Sequence, residues 1–520
     1  MGAVLVAAGI LLSRVLGVVR ESLKARYLGA TQTIAADAFN SAFRIPNLLQ
    51  MLFGEGALSA SFIPVYANLL ARGDRREADR VAGAIGAALA LITAALVLLG
   101  VTFTPVLVSL IAWGFEGEKR ELTIRLTRIL FPGAALFVLG AWCLGILNSH
   151  RRFFLSYAAP VAWNLVMIAA LVFYRGSAPV NVAVKLAWAS VVGAALQFLV
   201  QLPVVLRVAP EVRIRMARGN EHVRRVLRNF VPAFIGRGVV QINAYTDQSI
   251  ASLLPGGAVS LLFYAQTISI LPVSLFGISV SAAELPEMAS AVGDSAAAAA
   301  HIRTRLEAGL RQIAFFVVPS AAAFIFLGDV IAAALFQHGR FTARDTQFTW
   351  GILAAAAVGL LATTLGRLYS SGFYALHDTR TPLRYALIRV TLAAIVGYFM
   401  ATRLPGVLGI EPRWGAAALT LSSGLAGWVE FTLLRRGLNS RVGRTGVPAR
   451  LVVTLWLAAI AAGAAGFGVK TMLADAHRIV IAVFAIGVFG VIYFGATALF
   501  GVPESRGVLR RARSLASGSR

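Results

Sequence analysis

Apolar residues recur along this chain in blocks that no soluble helix face would need. VAGAIGAALALITAALVLLGV from Val81 and IVIAVFAIGVFGVIYFGATALF from Ile479 are two of them. Each reaches the roughly 20 residues that cross a bilayer, and the whole pattern predicts an all-α, polytopic membrane protein with about 14 transmembrane helices. The predicted spans are 2–27, 33–53, 81–110, 122–147, 158–175, 182–206, 229–254, 258–289, 308–328, 348–376, 382–402, 414–434, 450–470 and 479–500. A further short helix is expected in GEGALSASFIPVYANLL, after the second span.

The connecting loops alternate in charge. ARGDRREADR, NSHRRF, RVAPEVRIRMARGNEHVRRVLR, HIRTRLEAGLR, HDTRTPLR and RRGLNSRVGRTGVPAR are rich in Lys and Arg, whereas LGATQT, RGSAPV and LPGGA are not. The positive-inside rule then places both termini in the cytoplasm. The basic stretch 207–228 separates six spans from the next six, with two more beyond. The expected organisation is a first lobe over 1–206, a basic linker over 207–228 and a second lobe over 229–436. A terminal helix pair follows over 449–501, then a basic tail over 502–520. Two related six-helix bundles around a central path is an analogy with other transporters.

Composition agrees. The chain is 58% hydrophobic and 14% charged, against about 25% charged in a soluble domain. Its net charge of +25 would suit nucleic acid, but the arginines lie between apolar runs and not on one face of a soluble domain, so nucleic acid is not an expected partner. The basic tail is expected to meet anionic membrane lipid. Cys143 is the only cysteine, which excludes an intrachain disulfide and a cysteine zinc site. No phosphate-binding glycine loop, HExxH or nucleophile elbow is present. The reading is a transporter, not an enzyme, with no catalytic residues, metal or cofactor.

Candidate chemistry lies inside the spans. LLSRVLGVVRESLKARY, from Leu11, carries Arg14 and Arg20 within an apolar helix, where each arginine costs at least about 2.5–3.5 kcal/mol at the bilayer centre. Ser13, Gly17, Arg20 and Lys24 share one helical face. On the second span Asp37, Asn40, Ser41, Arg44 and Asn47 form another polar stripe. The seventh carries Arg237, Gln241, Asn243, Tyr245, Asp247 and Gln248. Such residues must pair or line a wet cavity. One reading joins Asp37 to an arginine as a helix clamp. The other rests on the excess of arginine over acid in the first two helices, which predicts an anionic substrate bound by guanidinium forks. Lys24, Arg26 and Lys185 are expected to snorkel to an interface, and Arg367 and Arg389 to serve structure.

SRVLGVVRE, ADAFNSAFRIPNLL and FGEGALSASFIPVY resemble the N-terminal signature of the MurJ (MviN) lipid II flippases of the MOP exporter superfamily. LFQHGRFTARD, SSGFYALHDTRTP and ASLLPGGAVSLLFYAQ extend the resemblance to about residue 440. It implies two lobes, a cationic cavity, alternating access, and a groove for the lipid tail in the last helix pair. The implied substrate is lipid II, the undecaprenyl-pyrophosphate-linked disaccharide-pentapeptide of peptidoglycan synthesis, in the bacterial plasma membrane with cell-wall synthesis proteins as partners. Ser13, Arg14, Arg20, Asp37 and Asn47 match family positions linked to transport. Asp247 matches an acidic position associated with sodium, although its helix-eleven partners are absent from ALIRVTLAAIVGYFM.

Two positions depart from the pattern. Gln50 stands where a basic residue is often found, and Gln266 and Thr267 stand in place of an acid–arginine pair, with Ile270 three residues on. Arg237 is the expected substitute. The predicted substrate site is therefore Ser13, Arg14, Arg20, Asp37, Arg44, Asn47 and Arg237, with Asp247 as the ion position. A sodium ion and the membrane potential both stay open as the drive. The alternatives are a flippase for another polyprenyl-pyrophosphate-linked glycan, a MATE-like small-molecule exporter, a membrane glycosyltransferase or polymerase, and a non-transporting scaffold.

Overall fold

The computed structural model describes the backbone over 2–215, 219–290 and 295–505; the side chains of 2–8, 10, 54–56, 153, 156–157, 233, 235–243 and 295 are outside the description. Every regular element among the described residues is helical, and the chain divides into two compact units. The first comprises 1–260 with 338–341, and the second 261–337 with 342–520.

The first unit holds α1 (Gly2–Leu28), α2 (Ile34–Leu49), α3 (Ser59–Ala71), α4 (Arg75–Thr102), α5 (Thr104–Ile111), α6 (Gly117–Ser149), α7 (Phe153–Phe173), α8 (Pro179–Val208) and α9 (Glu221–Ser252). The expected second span is α2 extended by a π-helical stretch, Gln50–Leu58, after Pro46 removes one backbone donor. The predicted short helix is α3. The predicted span 81–110 breaks at Phe103, with Pro105 in the first turn of α5. Leu28, Ala35, Phe39, Leu126 and Leu186 form a core that joins α1 and α2 to α6 and α8. The segment 338–341 belongs to this unit. Its Arg340 amide donates to the Arg26 carbonyl at 2.9 Å, and His338 shares a hydrogen bond with Ser22 at 2.9 Å.

The second unit takes in most of α10 (Ala258–Pro272), then α11 (Ser279–Ala289), α12 (Ser295–Phe336), α13 (Ala343–Ala375), α14 (Arg380–Thr402), α15 (Leu404–Val407), α16 (Gly415–Val442), α17 (Ala449–Met472) and α18 (Arg478–Leu499). Asp378, between α13 and α14, accepts from the Arg380 and Thr381 amides at 3.0 Å and from Arg441 at 2.7 Å. Hydrogen bonds from Thr381, with Arg441 beside them, hold its carboxyl below the usual carboxylate range.

Helices α13 and α16 cross where Gly359 meets Gly424: a Cβ on Gly359 would lie 2.3 Å from the Gly424 Cα. Lipid provides no hydrophobic drive between helices, so close backbone packing of small residues must supply the attraction. Gly359→Leu is expected to force this crossing apart and cost about 1–3 kcal/mol, as overpacking does. A clear fall in the thermal midpoint of the detergent-purified protein would show it; an unchanged midpoint would mean the crossing is not close in solution.

Ten helices among the described residues are long and apolar enough to cross a membrane. Of the 14 expected spans, those at α1, α2, α7 and α9 lie outside that set. Helix α2 is too short for that set, at 16 residues.

Candidate functional site

In α1, Arg20 and Lys24 sit one turn apart, and Glu21 stands between them at the favourable spacing for an acid preceding a lysine. Glu21 Oε1 accepts from Arg20 Nη2 at 2.7 Å, and its Oε2 meets Lys24 Nζ at 2.5 Å. Arg20 also donates through Nη1 to Asn164 Oδ1 of α7 at 2.9 Å, and its guanidinium carbon lies 4.3 Å over the Trp163 ring. Lys24 goes on to Asn40 Oδ1 of α2 at 2.9 Å, and Asn40 donates to Ser260 Oγ at 3.2 Å.

Ser260 leads to Asp37. Its hydroxyl and its amide donate to Asp37 Oδ1 at 2.7 and 2.9 Å. The Gly257 amide donates to Oδ2 at 2.8 Å, and Lys119 Nζ of α6 pairs with the same oxygen at 2.8 Å. Asp37 thus caps the first turn of α10 from another helix, satisfying amides that a helix start leaves unpaired. Gly257 makes the approach feasible. Its φ is +97°, and a Cβ there would lie 2.6 Å from Thr31; only glycine adopts such a turn cheaply.

The result is one connected line from Asn164 through Arg20, Glu21, Lys24, Asn40, Ser260 and Asp37 to Lys119. It holds three cations and two carboxylates, a surplus of one positive charge. Glu21, Lys24 and Asp37 are almost fully buried.

The predicted residues fare differently. Arg20 and Asp37 are joined, through residues the sequence reading did not select. Asp37 pairs with Lys119, not with an arginine. Lys24 does not snorkel: its ammonium is buried between Glu21 and Asn40, because Glu21 compensates its charge there. Ser13 joins only through its backbone carbonyl, which accepts from Asn164 at 3.4 Å. Arg14 is exposed, and Asn47 is half-buried outside the line. Arg44 donates to the Ala244 carbonyl of α9 at 2.6 Å, while its own carbonyl accepts from Tyr245 at 2.9 Å. Asp247 is buried one turn on and within electrostatic reach of Arg44. Arg237 lies in α9, but its side chain is outside the described residues, so its predicted role stays an expectation.

In the second unit, Thr267 returns its hydroxyl to the Phe263 carbonyl at 2.9 Å, and Ile270 is exposed. Arg389 Nε pairs with Glu430 at 3.1 Å. No group of three or more His, Cys, Asp or Glu among the described residues could hold a metal ion.

A family profile described as lipid II flippase MurJ matches residues 24–495. The lipid II flippase MurJ of Burkholderia cenocepacia is 36% identical over 437 residues, covering 83% of this chain and 82% of the relative. A solved lipid II flippase MurJ in an inward closed conformation superposes with a TM-score of 0.78 at 24% identity, covering 96% of this chain and 98% of that one. An inward-facing MATE multidrug resistance transporter of the MOP superfamily superposes at 0.65 with 19% identity, over 81% of this chain and 98% of that one.

Proposed function

The chain belongs to the MurJ family of lipid II flippases, and from that premise we propose that this transporter carries lipid II from the inner to the outer leaflet with the line centred on Arg20 as the station for its pyrophosphate. The supporting observation is the charge count. Three buried or half-buried cations share two carboxylates, so the line has one unit of attraction left for an anion. A phosphate oxygen can take the place of Glu21 on the guanidinium fork, exchanging one anionic acceptor for another at little desolvation cost. Glu21 keeps Lys24 as its partner during that exchange. Arg14, exposed on the same helix, adds positive charge where the substrate would enter.

Asp37 has a different part in the reading. It ties α2 and α6 to the start of α10, so loss of that cap is the local step that would let α10 move during alternating access. Each ligand state would favour the arrangement it contacts better. The proposed organisation keeps lobes over 1–206 and 229–436, with the tail of the lipid against 449–501, and both termini in the cytoplasm. The drive is either the membrane potential or a sodium ion held at Asp247, and cell-wall synthesis proteins are the proposed partners. A surplus of positive charge disfavours a MATE-like exporter of cations, whose site needs acids. A different polyprenyl-pyrophosphate-linked glycan would use the same arginine chemistry and is the second reading.

Expression of this chain in a bacterium depleted of its own lipid II flippase is expected to restore growth, with lipid II reaching the outer leaflet. Absence of rescue at normal membrane abundance would reject lipid II. Rescue confined to a strain lacking another polyprenyl-glycan flippase would establish the second reading.

A further inference from the structure

In the second unit α12 and α17 end, and α13 and α18 begin, around one cavity of about 370 Å³. This end lies away from the basic loops, where positive charge is scarce, yet Lys470 and Arg478 both line the cavity. Neither reaches out as a snorkelling residue does. Lys470 bonds Asp329 Oδ2, and Arg478 donates to the Gln337 backbone carbonyl. The other oxygen of Asp329, Oδ1, is buried with no donor. Val330, Ala333 and Ile481 supply an apolar wall beside these charges.

We propose that this cavity binds the headgroup of a resident anionic phospholipid with a single phosphodiester, such as phosphatidylglycerol. The phosphodiester sits on Lys470 and Arg478, and the glycerol backbone lies on the apolar wall. Charge selects this class: two cations and one carboxylate leave one positive charge, which one phosphodiester balances. An ethanolamine headgroup would bring an ammonium that competes with Lys470 for Asp329. A free phosphate would leave the apolar wall unused. The level is also right, since the ends of membrane helices lie among the lipid headgroups. The volume falls within the range of about 300–1,000 Å³ for small-ligand sites. The site is separate from the pyrophosphate station at Arg20 and does not rest on it, although Lys470, Ala474, Arg478 and Ile481 belong to the terminal helix pair, 449–501, proposed to face the lipid II tail.

The test is native mass spectrometry of the full chain released from nanodiscs of phosphatidylglycerol and phosphatidylethanolamine. One phosphatidylglycerol is expected to remain bound after the other lipids leave. Lys470→Gln with Arg478→Gln should lower its occupancy at least about tenfold, since both charge-assisted contacts to the phosphodiester are lost. Ala474→Trp, at an exposed position lining the cavity, should do the same by filling it. This second variant leaves the ion pairs in place and decides the matter if the double variant does not fold. Equal retention of both lipids, or unchanged retention in Ala474→Trp, overturns the proposal. Displacement by soluble glycerol phosphate as readily as by lipid would overturn the lipid assignment in favour of a free anion.

Discussion

Arg20→Ala is expected to abolish rescue of a flippase-depleted strain while the protein stays in the membrane at near-normal abundance. The guanidinium makes its bonds to Glu21 and Asn164 and covers Trp163, so its removal takes away the only fork in the line. Glu21 nevertheless keeps Lys24, and no buried charge is stranded, which is why the fold should tolerate the change. The surplus positive charge disappears with it, and with that the attraction for pyrophosphate. Arg20→Lys should rescue partly, because an ammonium keeps the charge but not the bidentate geometry. Arg14→Ala is expected to fail in the same assay through the loss of entry charge. Full growth with both alanine variants at normal abundance would show that pyrophosphate is bound elsewhere.

Asp37→Ala is expected to act on stability first. It removes the acceptor of two amides, a hydroxyl and an ammonium, all at 2.7–2.9 Å. Breaking a buried ion pair by deleting one partner costs about 3–5 kcal/mol. That is a large part of the roughly 5–15 kcal/mol that holds a typical domain together, so membrane abundance should fall sharply. Asp37→Asn keeps one carbonyl oxygen for Ser260 and should retain more transport than Arg20→Ala. Adding Lys119→Met to Asp37→Ala should recover abundance, because the stranded ammonium is then gone. Wild-type abundance and heat resistance in Asp37→Ala alone would remove the structural role argued for this cap.

The two variants separate the halves of one polar line, and the sequence exposed those halves unequally. Arg20 and Asp37 stand out because a charge within an apolar helix needs a reason wherever it occurs. Glu21 stands out less, because a single acid beside Arg20 reads as part of the same charged turn. Its spacing to Lys24 was the available signal. Asn40 lay within the polar stripe of α2 but carried no hint of Lys24. Lys119 and Asn164 offered no signal, being a helix-end lysine and a single amide in an apolar helix.

The all-helical membrane class, the alternation of charged and uncharged loops, the family signature and the helix faces that carry polar groups are all legible in the amino-acid order. These are local properties: hydropathy over about 20 residues and a period of 3.6 are written in consecutive positions. Which of those groups meet follows from how the helices pack. Lys24 is a buried partner of Glu21 and Asn40, and not an interfacial snorkel, because α1 and α2 approach there. Asp37 serves as the cap of α10 because the turn at Gly257 brings two amides, 220 and 223 residues away along the chain, onto its carboxylate. Such contacts depend on helix packing and on a backbone angle open to glycine, and no window of neighbouring residues contains them.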